Sequence, residues 1–336
     1  MTVPLLQFFV TAAVVIVAGT FLTRATDRLA EHLGIGRTLA GMILLAMATS
    51  LPELAIGCNA ALQGLPNLTV GDLLGSSLMN LLLLAILDLS FYSRGQMLSK
   101  SAAANTLTAG AAVIMTAIVL LFILLRPEWS IAGRIGIGSI ALVIAYGFAL
   151  RLIYLQQRFL QRTLSPAALH AEEKMAEGYT LRGDLAKYVL GAAVIFGVVP
   201  FLVGSAETLA ARSGLGQTFV GTTMVALSTS LPEVVTTLAA VRLRAFDMAV
   251  GNVFGSNVFN MIILVPVDLL YDQPLYANIS PHHAITAAWV ILVTMVAVLG
   301  LLYQEEKRYW MIEPDAALVI VLVIAALTSL YFVGAM

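Results

Sequence analysis

Charged residues are scarce in this chain. Only 11% of its 336 residues are Asp, Glu, Lys or Arg, while 60% are hydrophobic and the mean hydropathy is +0.94. Soluble domains carry roughly 25% charged residues, so this composition is typical of a membrane protein. The net charge is −1 and no basic cluster is present, so the sequence gives no indication of a nucleic-acid partner.

Cysteine is nearly absent, and so are the common catalytic motifs. The single cysteine, Cys58, excludes an internal disulfide and is interpreted as a small buried apolar residue. No HExxH motif, P-loop or paired nucleophile and histidine occurs in an apolar stretch, which argues against a membrane protease or a nucleotide-driven pump. We therefore expect neither enzymatic activity nor a bound cofactor. The adjacent His282 and His283 have no cysteine or acid beside them, which favours an interfacial turn over a metal site.

Ten stretches are long and apolar enough to cross the hydrocarbon core of a bilayer, which takes about 20 residues. The first follows no basic region and has no small-residue cleavage site, so we expect it to be retained rather than removed as a signal peptide. The sequence therefore predicts an all-α integral membrane fold of ten transmembrane helices. The predicted spans are 4–24, 36–62, 67–92, 103–125, 131–157, 185–211, 216–242, 246–271, 282–303 and 315–335.

The two halves of the chain repeat each other. Every pair of matching segments is offset by 180 residues without a gap, so the halves are interpreted as a duplication. Asp88 and Asp268 also correspond at this offset. The matching segments are GIGRTLAG (34–41) with GLGQTFVG (214–221), TSLPE (49–53) with TSLPE (229–233), and GDLLGSSLMN (71–80) with GNVFGSNVFN (251–260).

Each half has an odd number of predicted spans, so the second copy is inverted in the membrane relative to the first. If the N-terminus lies outside, fifteen of the 18 Lys and Arg residues fall on the inner side, which predicts both termini outside. Such inverted repeats are typical of secondary transporters. Short loops and the lack of a targeting segment favour a prokaryotic inner membrane. The predicted parts are a first repeat at 1–157 (motifs at about 34–89), a cytoplasmic connector at 158–184 and a second repeat at 185–336 (motifs at about 214–269).

Two glutamates stand alone in predicted spans. Glu53 is the only charged residue between Arg37 and Asp72, and Glu233 is equally isolated in the matching span. A charge inside a bilayer costs a few kcal/mol, roughly 2.5–3.5 on insertion scales, so each glutamate is expected to face a partner or a wet cavity. Their equivalent positions in a duplication favour a shared functional site.

Residues whose oxygen atoms can bind a cation lie close to each glutamate in the sequence. Pro52 and Pro232 remove a backbone donor, which frees a carbonyl one turn earlier to face an ion. Thr49 and Ser50 are spaced to share a helix face with Glu53. Carboxylate, hydroxyl and carbonyl oxygens suit hard cations such as Ca²⁺ or Na⁺.

A second polar element follows each glutamate. Ser76 and Asn80 are spaced i,i+4, and Ser256 and Asn260 repeat that spacing in the second half. Paired glycines in the same segments allow close helix approach. These small polar residues are therefore candidate ligands, although packing alone also explains such residue types.

The motifs resemble the two alpha-repeats of the sodium/calcium exchanger family. The resemblance rests on GxxxxxxATSLPE with GxxxGSSxxN and on GxxxxxxSTSLPE with GNxxGSNxxN, and with the ten-span layout it covers essentially the whole chain. It implies ten transmembrane helices, with the second, third, seventh and eighth around the ion site, and alternating access through movement of the first and sixth. It also implies these cation ligands: Ala46, Thr49, Ser50, Glu53, Ser76, Asn80, Ala226, Thr229, Ser230, Glu233, Ser256 and Asn260.

Some residues depart from the family pattern. Many relatives carry an aspartate where this chain has Asn260, which leaves two carboxylates instead of three. Exchange of Ca²⁺ for Na⁺ is the favoured function, and coupling to H⁺, or transport of another divalent cation such as Mg²⁺, stays open. A cation channel is the alternative from another class. Asp88 and Asp268 are expected to be hydrated at the membrane surface, with an accessory ion site as the other interpretation.

Overall fold

The structure is a computed structural model that describes residues 2–90, 105–128, 130–131, 135–163, 180–213, 228–302 and 314–334. Two sequence expectations lie outside these residues: most of the predicted connector, and the first half of the seventh span with its candidate ligand Ala226. All other candidate ligands are described.

Helices account for nearly all of the described chain. Several helix ends coincide with proline or glycine, whereas Arg126 and Arg244 have positive φ at two others. Gly34, Gly36 and Gly64 have positive φ, which ends one helix and permits the turn into the next. The helices are α1 (Thr2–Leu33), α2 (Gly36–Leu39), a π-helix (Ala40–Leu45), α3 (Ala46–Thr49), α4 (Leu51–Leu62), α5 (Pro66–Ser90), α6 (Thr106–Leu125), α7 (Ile137–Thr163), α8 (Leu181–Ser213), α9 (Leu231–Arg242), α10 (Phe246–Leu270), α11 (Leu275–Asn278), α12 (His283–Leu302) and α13 (Pro314–Gly334).

Seven of these helices are long and apolar enough to cross a membrane, and an eighth span results if the bent pair Gly36–Thr49 and Leu51–Leu62 is counted as one. The apolar part of α13, Ala316–Phe332, is shorter. The all-helical class expected from composition is therefore found in the described residues. The count of ten spans stays a prediction.

The predicted start of the fifth span at residue 131 is wrong. Ser130–Ile131 (β1) and Ile135–Gly136 (β2) pair as a short antiparallel ladder, and the helix begins only at Ile137. A short apolar run suits a strand as well as a helix, so hydropathy alone does not place this boundary.

The chain forms two compact units. Unit 1 comprises Met1–Glu53 and Tyr154–Asn252, and unit 2 comprises Leu54–Ile153 and Val253–Met336. Each unit therefore contains segments of both predicted repeats. The units divide within α4, directly after Glu53, and within α10, directly after Asn252.

Unit 1 is organised around the two longest helices. α1 packs along α8 and also contacts α9 and the π-helix. Close approach is possible at Gly191, where an added Cβ would lie 3.2 Å from Leu22 Cβ and 3.5 Å from the Ala18 carbonyl oxygen. Near the start of α8, the buried Asp184 forms an ion pair with Arg28 of α1 (Nε–Oδ1 2.8 Å) and lies within hydrogen-bond distance of His32 of α1 (Nε2–Oδ2 3.3 Å). These contacts fix the register of α8 on α1.

Unit 2 is organised around the most buried spans. In both α5 and α10 the most apolar window is 67% buried, against 22–44% in the other single-helix spans. α12 packs against α5, α6 and α13. Membrane-facing side chains need only apolar surface, whereas buried helices can present polar groups to one another. Within unit 2, α5 and α10 are therefore suited to hold polar groups.

The expectation that Asp268 is hydrated at the membrane surface is wrong. Its side chain is fully buried in unit 2, and its carboxylate accepts three hydrogen bonds. Oδ2 accepts from the Gly136 amide (2.7 Å) and the Ser139 hydroxyl (2.6 Å), and Oδ1 accepts from the Leu275 amide (3.1 Å). The carboxylate thereby binds the amide directly before α7, a hydroxyl in the first turn of α7 and the first amide of α11, and free amides at helix starts favour a negative charge. A capping role accounts for this residue without an ion.

We expect Asp268→Asn to destabilise the protein by about 2–4 kcal/mol. The amide nitrogen of asparagine has to face one of three hydrogen-bond donors, which leaves that donor without an acceptor and removes the charge that binds all three. Thermal unfolding of the purified protein measures the loss. Asp272→Asn is the matched control, because Asp272 is exposed four residues away and should tolerate the same change. Equal stability of the two variants would contradict the capping role.

Candidate functional site

The first TSLPE segment lies at a helix break. α3 ends at Thr49, α4 begins at Leu51, and the helix axis bends by 46° between them. Ser50, at the break, has φ −89° and ψ 5°. Pro52 explains the break, because its ring has no amide hydrogen to continue the helical ladder and clashes with the preceding turn. The proline places Thr49 and Ser50 where helical hydrogen bonding is interrupted.

The second TSLPE segment repeats this local structure. Ser230 has φ −82° and ψ 0°, and α9 begins directly after it with Pro232 in the first turn. The two serines thus share one backbone conformation at an offset of 180 residues. The duplication inferred from sequence therefore extends to the backbone at the predicted site.

Both glutamates lie in the first turn of the helix that follows the break. Glu53 is 2% exposed and Glu233 is 3% exposed. The free amides and the helix dipole at a helix N-terminus stabilise negative charge, which offsets part of the cost of burying a carboxylate. Two glutamates that are both buried at helix starts form a region suited to attract a cation.

The two motif copies meet inside unit 1. The Ser50 hydroxyl of the first copy donates a long hydrogen bond, 3.5 Å, to Oε1 of Glu233 in the second. Thr49 Oγ1 and the Ser50 amide both donate to the Ala46 carbonyl, at 3.2 and 3.0 Å. The carbonyl, hydroxyl and carboxylate oxygens predicted as ligands are therefore held close together by the break.

The described candidate ligands of unit 1 are all buried. None is more than 4% exposed, and the set consists of Ala46, Thr49, Ser50, Glu53, Thr229, Ser230 and Glu233. Buried polar groups need partners of complementary charge or hydrogen bonding. An oxygen-rich buried cluster of this kind suits a desolvated hard cation.

A second cluster occupies α5 and α10 in unit 2. We call Ser77, Asn80, Asn257 and Asn260 the amide cluster. Asn80 Nδ2 donates to Asn257 Oδ1 (3.0 Å), and Asn260 Nδ2 lies 3.4 Å from Ser77 Oγ. The offset of 180 residues relates these two pairs, because Asn260 corresponds to Asn80 and Asn257 to Ser77. Two pseudo-symmetric hydrogen bonds therefore connect α5 and α10.

Two predicted ligands in unit 2 have buried oxygens without a hydrogen-bond partner among the described residues. Asn80 uses its Nδ2 to reach Asn257, so its Oδ1 points elsewhere; that oxygen is buried and has no hydrogen-bond partner among the described residues. Ser256 Oγ is likewise buried without a described partner. Buried oxygens normally have a partner, and a bound cation would supply one. This fits the assignment of Asn80 and Ser256 as ligands better than a packing role alone.

Asn257 and Ser77 belong to the repeated motifs, but neither was predicted as a ligand from the sequence. Asn257 Nδ2 also donates to the Ser77 carbonyl, at 3.2 Å. The signal that points to both residues is their position directly after the paired serines Ser76 and Ser256. Asn252 was also missed: in unit 1 its Nδ2 donates to the hydroxyls of Thr236 (3.2 Å) and Thr237 (2.9 Å), one turn after Glu233.

The paired histidines fit the turn that was expected. His282 lies in a turn and His283 begins α12, where its Nε2 is 3.2 Å from Asn67 Oδ1. Within the described residues, no group of three or more His, Cys, Asp or Glu side chains is arranged to hold a metal. The cation site predicted here differs from such a group because most of its ligands are hydroxyl, amide and carbonyl oxygens.

The chain is similar to known proteins over most of its length. The family model described as sodium/calcium exchanger protein matches residues 3–155 and 185–335, which is most of the chain. Sodium/calcium exchanger MaX1 of Methanosarcina acetivorans is 24% identical, over 93% of this chain and 94% of its own length. Putative antiporter CaxA of Alkalimonas amylolytica is 26% identical, over 71% of this chain and 72% of its own length.

The fold is also shared with solved structures. A structure of the sodium-calcium exchanger NCX_Mj soaked with Na⁺ and Sr²⁺ matches 98% of this chain and 99% of its own, with a TM-score of 0.70 and 19% identity. Another, soaked with zero Na⁺ and Ca²⁺, gives a TM-score of 0.68. At this level of identity the likeness establishes the fold.

Proposed function

Because the chain belongs to the sodium/calcium exchanger family, we propose that it is a secondary antiporter that exchanges Ca²⁺ for Na⁺ across a membrane by alternating access. Its several apolar spans make it a multi-pass integral membrane protein. Two relatives that match most of its length are named as an exchanger and a putative antiporter, which supports cation exchange.

The observation that carries the proposal is the pair of buried glutamates at helix breaks. Glu53 and Glu233 begin α4 and α9 in unit 1, and Ser50 connects the two motif copies through its contact with Glu233. Two carboxylates neutralise one divalent cation, and the neighbouring hydroxyls replace part of its hydration shell. We propose Thr49, Ser50, Glu53, Thr229, Ser230 and Glu233 as ligands from unit 1, and the candidates in unit 2 remain predicted ligands.

Asn260 favours H⁺ coupling as the second candidate. Its Nδ2 is directed at the Leu73 carbonyl (3.3 Å) and the Ser77 hydroxyl (3.4 Å), so this position is occupied by a neutral donor rather than a carboxylate. A site with fewer negative charges neutralises fewer Na⁺ ions at once, and a glutamate that binds a proton between Ca²⁺ ions would complete the cycle.

Uptake of ⁴⁵Ca²⁺ into liposomes containing the purified protein tests the function. We expect uptake driven by an outward Na⁺ gradient. If only an outward H⁺ gradient drives uptake, the proton-coupled alternative is correct. Uptake that needs neither counter-gradient would indicate a channel and would contradict antiport. Protein-free liposomes give the background.

A further inference from the structure

Tyr188 contacts the segment that precedes the first TSLPE motif. Its side chain, on α8, is 8% exposed, and its hydroxyl donates a 2.8 Å hydrogen bond to the Leu44 carbonyl. Leu44 belongs to the π-helix that ends one residue before Ala46. A π-helix inserts an extra residue into the helical ladder and so disturbs carbonyl pairing, and such turns are frequent at functional sites. Tyr188 supplies a donor to one of these carbonyls.

The π-helix is held from a second element in unit 1. An added Cβ at Gly41 would clash with the Met248 carbonyl oxygen and would lie 3.0 Å from Met248 Cα. The backbone of α10 therefore rests directly on the π-helix at Gly41, while Tyr188 binds it three residues later. Two contacts from different helices fix the position of this turn.

The turns of α8 on either side of Tyr188 are packed tightly on α1. Asp184, Tyr188 and Gly191 follow one face of α8, at the spacing of successive helical turns. Asp184 is paired with Arg28 of α1, and Gly191 packs closely on α1 near Leu22. The tyrosine is thus bracketed by two tight contacts between α8 and α1, and its hydroxyl has little freedom to leave Leu44.

We infer that Tyr188 is a positioning residue for the cation site, which sets the direction of the ligand run Ala46–Thr49 through the π-helix. This rests on the proposed function only in taking that run as part of the cation site. The residue 180 positions earlier in the sequence is Phe8, which has no hydroxyl. Tyr188→Phe keeps the aromatic ring and removes only the hydroxyl that binds the Leu44 carbonyl.

The test compares Tyr188→Phe with Tyr276→Phe in the full-length protein. Tyr276 is 1% exposed and its hydroxyl has no hydrogen-bond partner among the described residues, so this variant also removes a buried hydroxyl, but without a bond. We expect half-saturation of equilibrium ⁴⁵Ca²⁺ binding to require about three- to tenfold more Ca²⁺ in Tyr188→Phe, the range that one hydrogen bond provides, and no change in Tyr276→Phe. The maximal exchange rate of Tyr188→Phe should fall by a smaller factor than its affinity for Ca²⁺.

Amide hydrogen exchange of the cation-free protein tests the inference independently of calcium. Peptides covering residues 40–49 should exchange faster in Tyr188→Phe and not in Tyr276→Phe, while the rest of α8 is unchanged. Unaltered exchange in these peptides, or unaltered Ca²⁺ affinity in a parent protein that binds Ca²⁺, overturns the inference. A parent protein that binds no Ca²⁺ refutes the proposed function instead, and the exchange data then decide the inference alone.

Discussion

Replacing Glu53 by glutamine is expected to reduce Ca²⁺ exchange at least about 100-fold. Glutamine keeps the shape of the side chain and removes its charge. A unit charge at about 2.4 Å from a divalent cation contributes several kcal/mol even at an effective dielectric constant near 20. Glu53 lies in the first turn of α4, where the helix dipole adds to the local preference for charge. The measurement is the initial rate of gradient-driven ⁴⁵Ca²⁺ uptake into liposomes.

Glu207→Gln is the control for this prediction. Glu207 is an exposed residue of α8, so it loses the same charge without affecting the buried cluster. Thermal unfolding should change little in either variant, because glutamine fits the space of glutamate. If Glu53→Gln exchanges Ca²⁺ at a rate close to that of the Glu207 variant, the glutamate does not bind the transported ion.

Gly41→Ala is expected to lower both stability and exchange. The added methyl group would meet backbone atoms of Met248, and backbone does not rotate away as a flexible side chain does. Overpacking of this kind costs about 1–3 kcal/mol or more. Because the π-helix leads directly into the predicted ligands, we also expect weaker Ca²⁺ binding, measured by equilibrium ⁴⁵Ca²⁺ binding beside thermal unfolding.

Gly197→Ala provides the comparison. Gly197 lies within α8, and an added Cβ there has no atom within 4 Å, so alanine should be neutral or should stabilise the helix by about 0.5–1 kcal/mol. Gly41→Ala is thus predicted to lower the free energy of unfolding, and Gly197→Ala to leave it unchanged or to raise it. A Gly41 variant that unfolds at the parent temperature would show that α10 and the π-helix separate at no cost, against the close approach seen in unit 1.

Local chemistry explains which features could be predicted from the sequence. Pro52 was expected to remove a backbone donor and to interrupt helical hydrogen bonding about one turn earlier, and the structure has a helix break with a bend of 46° at Ser50. Glu53 and Glu233 were expected to face a partner or a wet cavity because isolated charges in apolar stretches need protection from lipid, and both side chains are found buried. Both features depend on residues within about one helical turn, so the surrounding fold is not needed to foresee them.

Non-local contacts explain the features that could not be predicted. The π-helix at Ala40–Leu45 is as apolar as an ordinary α-helical span, and its Leu44 carbonyl accepts a hydrogen bond from Tyr188, 144 positions along the chain. Asp268 is buried because Gly136, Ser139 and Leu275 converge on it from two other segments. The amide cluster depends on the side-by-side packing of α5 and α10.

The amide cluster shows that the two halves of the duplication have diverged, because Ser77 contacts Asn260 whereas its counterpart Asn257 contacts Asn80. Two identical inverted halves would make the inward and outward half-cycles energetically equal. An exchanger cannot choose the direction of net flux, which the gradients fix, but unequal halves allow different half-saturation on the two faces of the membrane. Substitutions at the pairs that break the symmetry would therefore change the difference in half-saturation between the two membrane faces. The glutamates that both halves share would stay the same.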